Sequence, residues 1–261
     1  MTDNVNSETI DTIVRIMRKS RSILFITGAG ISAGSGIPTY RGIGGLYNVD
    51  VTEDGCSIEE ALSASMLASN PEITWKYLLQ IGKAVSGATH NRAHEVIAEF
   101  ERKFHRVWTL TQNVDGFHSA AGAQNVIEAH GNMHSLSCTQ CGQKTNTADF
   151  DSIEIPPQCS SCGGLIRPDV ILFGEFLSGP AIDRMQEEVH RGFDVTFSIG
   201  TSSVFPYIQA PLEVARSFGR PTIEINPCET TATRLVEYHL PMPAAQALEE
   251  IWNRFNQDTP D

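Results

Sequence analysis

At 261 residues the chain has room for one large domain carrying an insertion, or for two small domains. Its 31 acidic against 19 basic residues leave a net charge of −12. That balance opposes a nucleic-acid backbone as principal ligand, because affinity for phosphate chains rests on clustered Lys and Arg, and it suits a basic partner such as a lysine-bearing protein segment. The densest apolar runs, Ile23 to Ile26 and Val170 to Phe173, are far too short to cross a bilayer, and residues 1–20 lack the apolar stretch of a signal peptide. The expectation is a cytoplasmic protein with no membrane and no nucleic-acid partner.

In chain order, an amphipathic helix is predicted over about 7–19 (Ile10, Ile13, Val14, Met17), followed by a strand from Ser22 to Thr27. The strand runs into Gly28–Ala29–Gly30–Ile31–Ser32–Ala33, a G-x-G-x-x-A turn. There the first glycine permits the tight turn and the second lets backbone approach a pyrophosphate. A dehydrogenase would show a second strand about 20 residues on, ending in an acidic residue. Instead come Tyr40 and Arg41, a glycine-rich stretch (Gly42 to Gly45), acidic polar sequence, and helix-like segments from about 58 to 102. This counts against hydride transfer.

The α/β rhythm then resumes. Predicted strands at Arg106–Thr111, Asn125–Ala129, Val170–Phe173, Asp194–Ile199 and Pro221–Ile225 each end in polar or glycine residues. These ends are Gln112–Asn113–Val114–Asp115, His130, Gly174–Glu175, Gly200–Thr201–Ser202 and Asn226. A C-terminal helix is predicted at about 243–256. In a doubly wound parallel sheet the strand ends line one edge, where ligands bind at the topological switch point.

Two C-x-x-C knuckles, Cys138/Cys141 and Cys159/Cys162, interrupt this pattern with seventeen residues between them. Without an export signal such pairs are zinc ligands rather than disulfides, and the Ile155–Pro156–Pro157 stretch does not provide the βαβ setting of a redox pair. Four thiolates close a tetrahedral zinc shell and leave no open position for water, so the ion is structural. Cys56 and Cys228 are left unpaired. The fold class is therefore α/β: a Rossmann-like doubly wound sheet (1–41, 103–130 and 169–261), a loop with a helical insertion (42–102), and a zinc-ribbon module (131–168).

These strand ends, in this order, resemble the sirtuin family from Gly28 to the C-terminal helix. The matching segments are GAGISAGSGIPTYRG (28–42), TQNVDGFHSAAG (111–122), HG (130–131), the four cysteines, RPDVILFGE (167–175), GTS (200–202) and IN (225–226). The resemblance implies NAD-dependent removal of acyl groups from protein lysines, yielding nicotinamide, O-acyl-ADP-ribose and free lysine. By the same resemblance Gly28, Ala29, Gly30 and Ser32 meet the pyrophosphate side of NAD, and Tyr40 and Arg41 lie in the cofactor loop. Gln112, Asn113 and Asp115 line the nicotinamide-ribose pocket, Asn113 and Asp115 taking part in catalysis. Gly200, Thr201, Ser202 and Asn226 contact the adenosine side, and Met242 offers a backbone contact to adenine.

His130 matches the general base, which draws a proton from the ribose hydroxyl system after the acyl oxygen has attacked C1′ and nicotinamide has left. An imidazole with an ordinary pKa near 6.5 suits that task at cellular pH. His94 and His118, on helix-like segments, are given no catalytic role. Val170, Leu172, Phe173, Gly174 and Glu175 resemble the strand that pairs with substrate backbone. The Gly30–Tyr47 segment resembles the branch with bacterial and mitochondrial members, some of which hold acidic acyl groups with a Tyr-x-x-Arg pair. Aligned on Asn70–Pro71 and Trp75, this chain has Leu78 and Ile81 there, which cannot neutralise a carboxylate. The expected substrates carry neutral acyl groups: acetyl, or longer chains. The alternatives are a mono-ADP-ribosyltransferase or NAD hydrolase on the same fold, and a non-enzymatic zinc-ribbon adaptor.

Overall fold

The computed structural model describes residues 2–37 and 51–257. In chain order they form α1 (Thr2–Lys19), β1 (Ser22–Thr27), α2 (Ala29–Ser32), α3 (Ile58–Ala61), α4 (Ala64–Ser69), α5 (Pro71–Ser86) and α6 (Arg92–Lys103). There follow β2 (Arg106–Thr111), α7 (Phe117–Ala120), β3 (Val126–Glu128), β4 (Gly131–Cys138), β5 (Lys144–Asn146) and β6 (Ile166–Val170). The last third holds α8 (Gly179–Arg191), β7 (Val195–Ile199), α9 (Pro206–Ser217), β8 (Thr222–Ile225), β9 (Tyr238–Leu240) and α10 (Ala244–Asn256). No helix among these is long and apolar enough to cross a membrane.

Six strands pair in the order β3-β2-β1-β7-β8-β9, every pair parallel. The order reverses at β1, between β2 and β7, and this is the switch point. Strand β1 lies inside the sheet and is buried from Ile23 to Thr27, so both of its faces must be apolar. Ile23 and Phe25 join a core with α1, α6 and α10, while Leu24 and Ile26 join one on the opposite face with Leu110, Ile127, Ile208 and Leu212. Each such residue, fully buried, contributes about 1.5–3 kcal/mol.

The second body combines α3–α5 with a three-stranded antiparallel sheet, β5-β4-β6, around Trp75, Leu78, Met133, Phe150 and Leu172. Trp75 ties its halves together, its indole Nε1–H donating to the Ile166 carbonyl at 2.9 Å. Phe150 lies over Gly82 of α5, so closely that a Cβ there would sit 2.3 Å from the ring.

Three expectations change. The strand expected over Val170–Phe173 is β6, four residues earlier, and it pairs with β4 in the small sheet rather than joining the parallel one. Beyond it the chain stays extended: Phe173 N–H donates to the Leu62 carbonyl and Ser63 bridges Phe173. The helical insertion ends before Asn91, because α6 buries Ala93, Val96, Ile97 and Phe100 in the core of the parallel sheet. The N-terminal helix begins at Thr2 rather than at about residue 7. Sequence periodicity also misses β9, a three-residue edge strand beside β8.

Candidate active site

The switch point is closed by two glycine loops. After β1 the Gly28 N–H donates to the Ile199 carbonyl (3.1 Å) and the Gly30 N–H to the Gly200 carbonyl (2.7 Å). A Cβ on Gly30 would lie 2.7 Å from Gly200 Cα, and one on Gly28 the same distance from Thr201 Cβ. The fingerprint glycines thus serve first to let the β1 and β7 loops touch. Among the residues expected to meet pyrophosphate, Gly28 and Gly30 have their amides already paired. From the β7 side Thr201 ties two neighbouring strand ends: Gln112 Nε2 donates to its Oγ1 (2.7 Å), and Asn226 Nδ2 to its carbonyl (3.2 Å).

Behind these loops lies a buried polar network. Asp115 Oδ2 accepts from Ser32 Oγ at 2.7 Å and from Asn113 Nδ2 at 3.2 Å, and its Oδ1 accepts from the Phe117 N–H at 3.0 Å. Burial pushes the Asp115 carboxyl up against the pull of these donors. His94 Nδ1 accepts the Asn91 N–H at 3.2 Å, which leaves Nε2–H facing Ser32 Oγ at 3.4 Å. Burial draws His94 down to about 4, and His118, bonded to Thr27 Oγ1 at 2.9 Å, well below its ordinary value. Both histidines are neutral supports on α6 and α7, and neither lines the cleft. Ser32, Asn113 and Asp115 surround a small recess of about 50 Å³, which shares Ala29, Ile81 and Asn113 with a much larger cleft.

That cleft, about 1010 Å³, runs between the two bodies along the strand ends. It brings together Gly28, Ala29, Gly30, Gln112, Asn113, His130, Gly200, Thr201, Ser202 and Asn226 on its large-domain side. On the small-domain side stand Leu78, Ile81, Val170, Leu172, Phe173, Gly174 and Glu175. No Lys or Arg lines it among the described residues. Tyr40 and Arg41 lie outside the described residues. Met242 does not reach the cleft: its side chain packs in the main core, and Pro243, Ala244 and Ala245 line that end. Glu175 is held by an Arg167 fork (2.5 and 3.0 Å) and by the Leu172 N–H (2.8 Å). Burial pushes its carboxyl up, but these partners outweigh it and leave the pKa lowered. It shapes the loop over the cleft.

His130 stands at the end of β3, half-buried, its Nε2 2.5 Å from Tyr207 Oη. Burial lowers its pKa, and a hydrogen bond to the Gln112 backbone partly offsets this. The imidazole is therefore neutral at pH 7, as a base must be. Its partner Tyr207, on the first turn of α9, carries no motif and was invisible in the sequence, as was Phe205, which stacks on it at 5.6 Å.

The four knuckle cysteines converge as expected, with all ligand atoms within 4.8 Å of one another. The sulfurs of Cys138 and Cys162 are 3.5 Å apart and those of Cys141 and Cys159 3.7 Å. A tetrahedron of thiolates about 2.3 Å from zinc has edges of about 3.8 Å, so the set fits one ion and leaves no open position. Backbone N–H groups of Cys141 and Gln140 draw the Cys138 thiol down to about 6, toward the thiolate that zinc requires.

Comparison with known proteins agrees with this geometry. Residues 28–206 match the model of the Sir2 family. The chain is 43% identical over 245 residues to NAD-dependent protein deacylase 2 of Pseudomonas aeruginosa, covering 93% of this chain and 95% of that protein. Its fold is similar to a solved Sir2 homologue–NAD complex, with TM-score 0.84, 36% identity and coverage of 94% of this chain and 93% of that one. A Sir2 structure with p53 peptide and NAD gives TM-score 0.79 at 28% identity, covering 93% and 97%.

Proposed function

Since the chain belongs to the Sir2 family and is an NAD-dependent protein deacylase, we propose that it removes neutral acyl groups from lysine side chains with His130 as general base. The observation that carries the acyl preference is the cleft wall opposite His130. Leu62, Leu78, Ile81, Met133, Val170 and Leu172 line it, with no Lys or Arg among the described residues. A carboxylate-bearing acyl group placed there would lose its hydration and gain no cation, whereas an alkyl chain is stabilised by burial.

When bound, NAD would supply an electrophilic C1′ centre with nicotinamide as its leaving group. The rest falls to the protein. The β1 and β7 loops and Asn226 bind and orient the dinucleotide along the strand ends, and Asn113 with the Ser32–Asp115 pair fixes the nicotinamide-ribose side. His130 Nε2 takes a proton from a ribose hydroxyl, kept unprotonated by its burial. The apolar wall holds the acyl-lysine, beside the extended backbone at 170–173 where substrate main chain would lie. Four thiolates, Cys138, Cys141, Cys159 and Cys162, would hold a structural zinc.

The test is a panel of acetyl-, butyryl- and succinyl-lysine peptides with NAD. Neutral acyl groups should exceed succinyl by roughly 100-fold in kcat/KM, the cost of an unpaired buried charge, and NAD should be consumed only with peptide present. Succinyl turnover equal to acetyl would refute the preference, and full activity of His130→Ala would refute the base.

A further inference from the structure

The mechanism above leaves Tyr207 without a task, although its hydroxyl is the one side-chain partner of His130 Nε2 among the described residues. The geometry around the pair is closed on three sides. The Gln112 N–H is spent on the Thr27 carbonyl (3.0 Å), so the imidazole's bond to the Gln112 backbone goes to its carbonyl and is donated by the ring. With Nε2 turned to Tyr207, the nitrogen that donates is Nδ1, and Nε2 carries the lone pair. Phe205 stacks on Tyr207 at an interplanar angle of 17° and meets His130 edge-on at 6.0 Å, holding both rings. Burial pushes the Tyr207 phenol up to about 12, so at neutral pH it keeps its proton and can donate.

We propose that Tyr207 is a positioning residue for His130: its hydroxyl donates to Nε2 in the resting enzyme, yields that lone pair to the ribose hydroxyl when substrates are bound, and accepts from Nε2–H once the imidazole has taken the proton. A hydroxyl is the one simple group able to serve both protonation states. The second state is where it matters most, because burial disfavours the imidazolium and a charge-assisted bond is about twice as strong as a neutral one. No other group takes that part. Glu213 of α9 and the cleft-lining Cys228 and Glu229 are exposed, and the acidic and imidazole side chains on the other surrounding elements are Asp115 after β2, Glu128 on β3, His134 on β4, and Asp169 and Glu175 on or after β6. The latter are engaged by Ser32 and Asn113, by Asn132, by the Thr147 carbonyl, by Ser135 and Ser137, and by Arg167 respectively.

The inference rests on His130 being the base, so Tyr207→Phe is measured beside His130→Ala. The phenylalanine keeps the stack and removes only the oxygen. The expected result is a kcat lowered about fivefold with KM for NAD nearly unchanged, and an acidic limb of the pH profile displaced to lower pH by about half a unit or more, since the imidazolium loses its acceptor. Titration of the His130 ring by NMR in the enzyme without substrates should show the same downward displacement, a readout that loss of packing alone would not give. Unchanged kcat and unchanged titration, with His130→Ala inactive, would overturn the role of Tyr207 and leave the base standing. A fall of a thousandfold or more would overturn it too, making Tyr207 a proton relay. Activity surviving in His130→Ala would sink the base assignment instead.

Discussion

Substituting Gly82 by Ala should damage this enzyme, although helix propensity says the reverse. In the middle of α5, alanine is worth about 1 kcal/mol more than glycine. The new methyl, however, would lie 2.3 Å from Cδ1 and 2.6 Å from both Cε1 and Cγ of Phe150. Ordinary carbon contacts begin near 3.5 Å, so helix and ring must part by roughly 1 Å. Phe150 is 1% exposed and has no route to solvent. Overpacking of this kind costs about 1–3 kcal/mol, enough to cancel the propensity gain and leave a deficit of up to about 2 kcal/mol. For a protein of this size that lowers Tm by a few degrees. The same shift moves Leu78 and Ile81, so KM for acyl peptide should rise while KM for NAD holds. Thermal melts followed by tryptophan emission, with Trp75 inside this core, read the stability effect. The double variant Gly82→Ala/Phe150→Leu should recover stability relative to the sum of the single changes. A Gly82→Ala protein melting at or above the parent would show that the contact does not govern α5.

Acid should weaken the fold through its buried histidines. His94 titrates near 4 in the folded chain because of burial, against about 6.5 unfolded, so the unfolded state binds the proton first and stability falls as pH drops between those values, by about 3 kcal/mol in all. Urea unfolding of His94→Gln should lose less stability than the parent between pH 7 and 4.5; equal losses would contradict the linkage. Zinc removal should act on the small body alone, because its core is separate from the two beside the parallel sheet. Chelation is expected to change Trp75 emission and abolish deacylation while the parallel sheet keeps its far-UV signal. Turnover persisting after one equivalent of zinc has been released would argue against a structural role.

What could be read from the sequence follows from how each feature is encoded. Strand ends at 112–115, 130, 200–202 and 226 were legible because a parallel sheet collects the carboxyl ends of its strands on one edge. The zinc knuckles were legible because all four ligands lie within one short module with fixed local spacing. Features made by through-space contact left no such trace. Tyr207 meets His130 across 77 positions of sequence, and Phe150 meets Gly82 across a stretch that holds α6, α7 and β2 to β5. Met242, expected to offer its backbone to adenine, packs its side chain in the main core, next to Pro243, Ala244 and Ala245 of the cleft lining. The displaced strand β6 failed because an apolar run, Val170 to Phe173, reads as a buried strand whether it joins the sheet or lines the cleft.

The pair His130–Gly131 illustrates how much one dipeptide compresses. Read as sequence, it is a base at a strand end followed by a flexible residue. In the fold, Gly131 has φ of +80°, and a Cβ there would stand 1.8 Å from the Asp169 carbonyl oxygen. Any side chain would be expelled by β6, which crosses at that point, with Gly131 opposite Val170 in the ladder. The chain leaves the parallel sheet at Glu128 and enters the antiparallel one at Gly131, so the two residues between them join the two sheets. His130 is held there from both sides: its carbonyl accepts the Ile171 N–H at 2.9 Å, and its ring bonds the Gln112 backbone. The first bond belongs to the acyl side of the cleft and the second to the dinucleotide side. The general base proposed for His130 would thus be fixed by the two walls proposed to hold its substrates. The glycine is required because the walls meet there, with no room for a side chain between them.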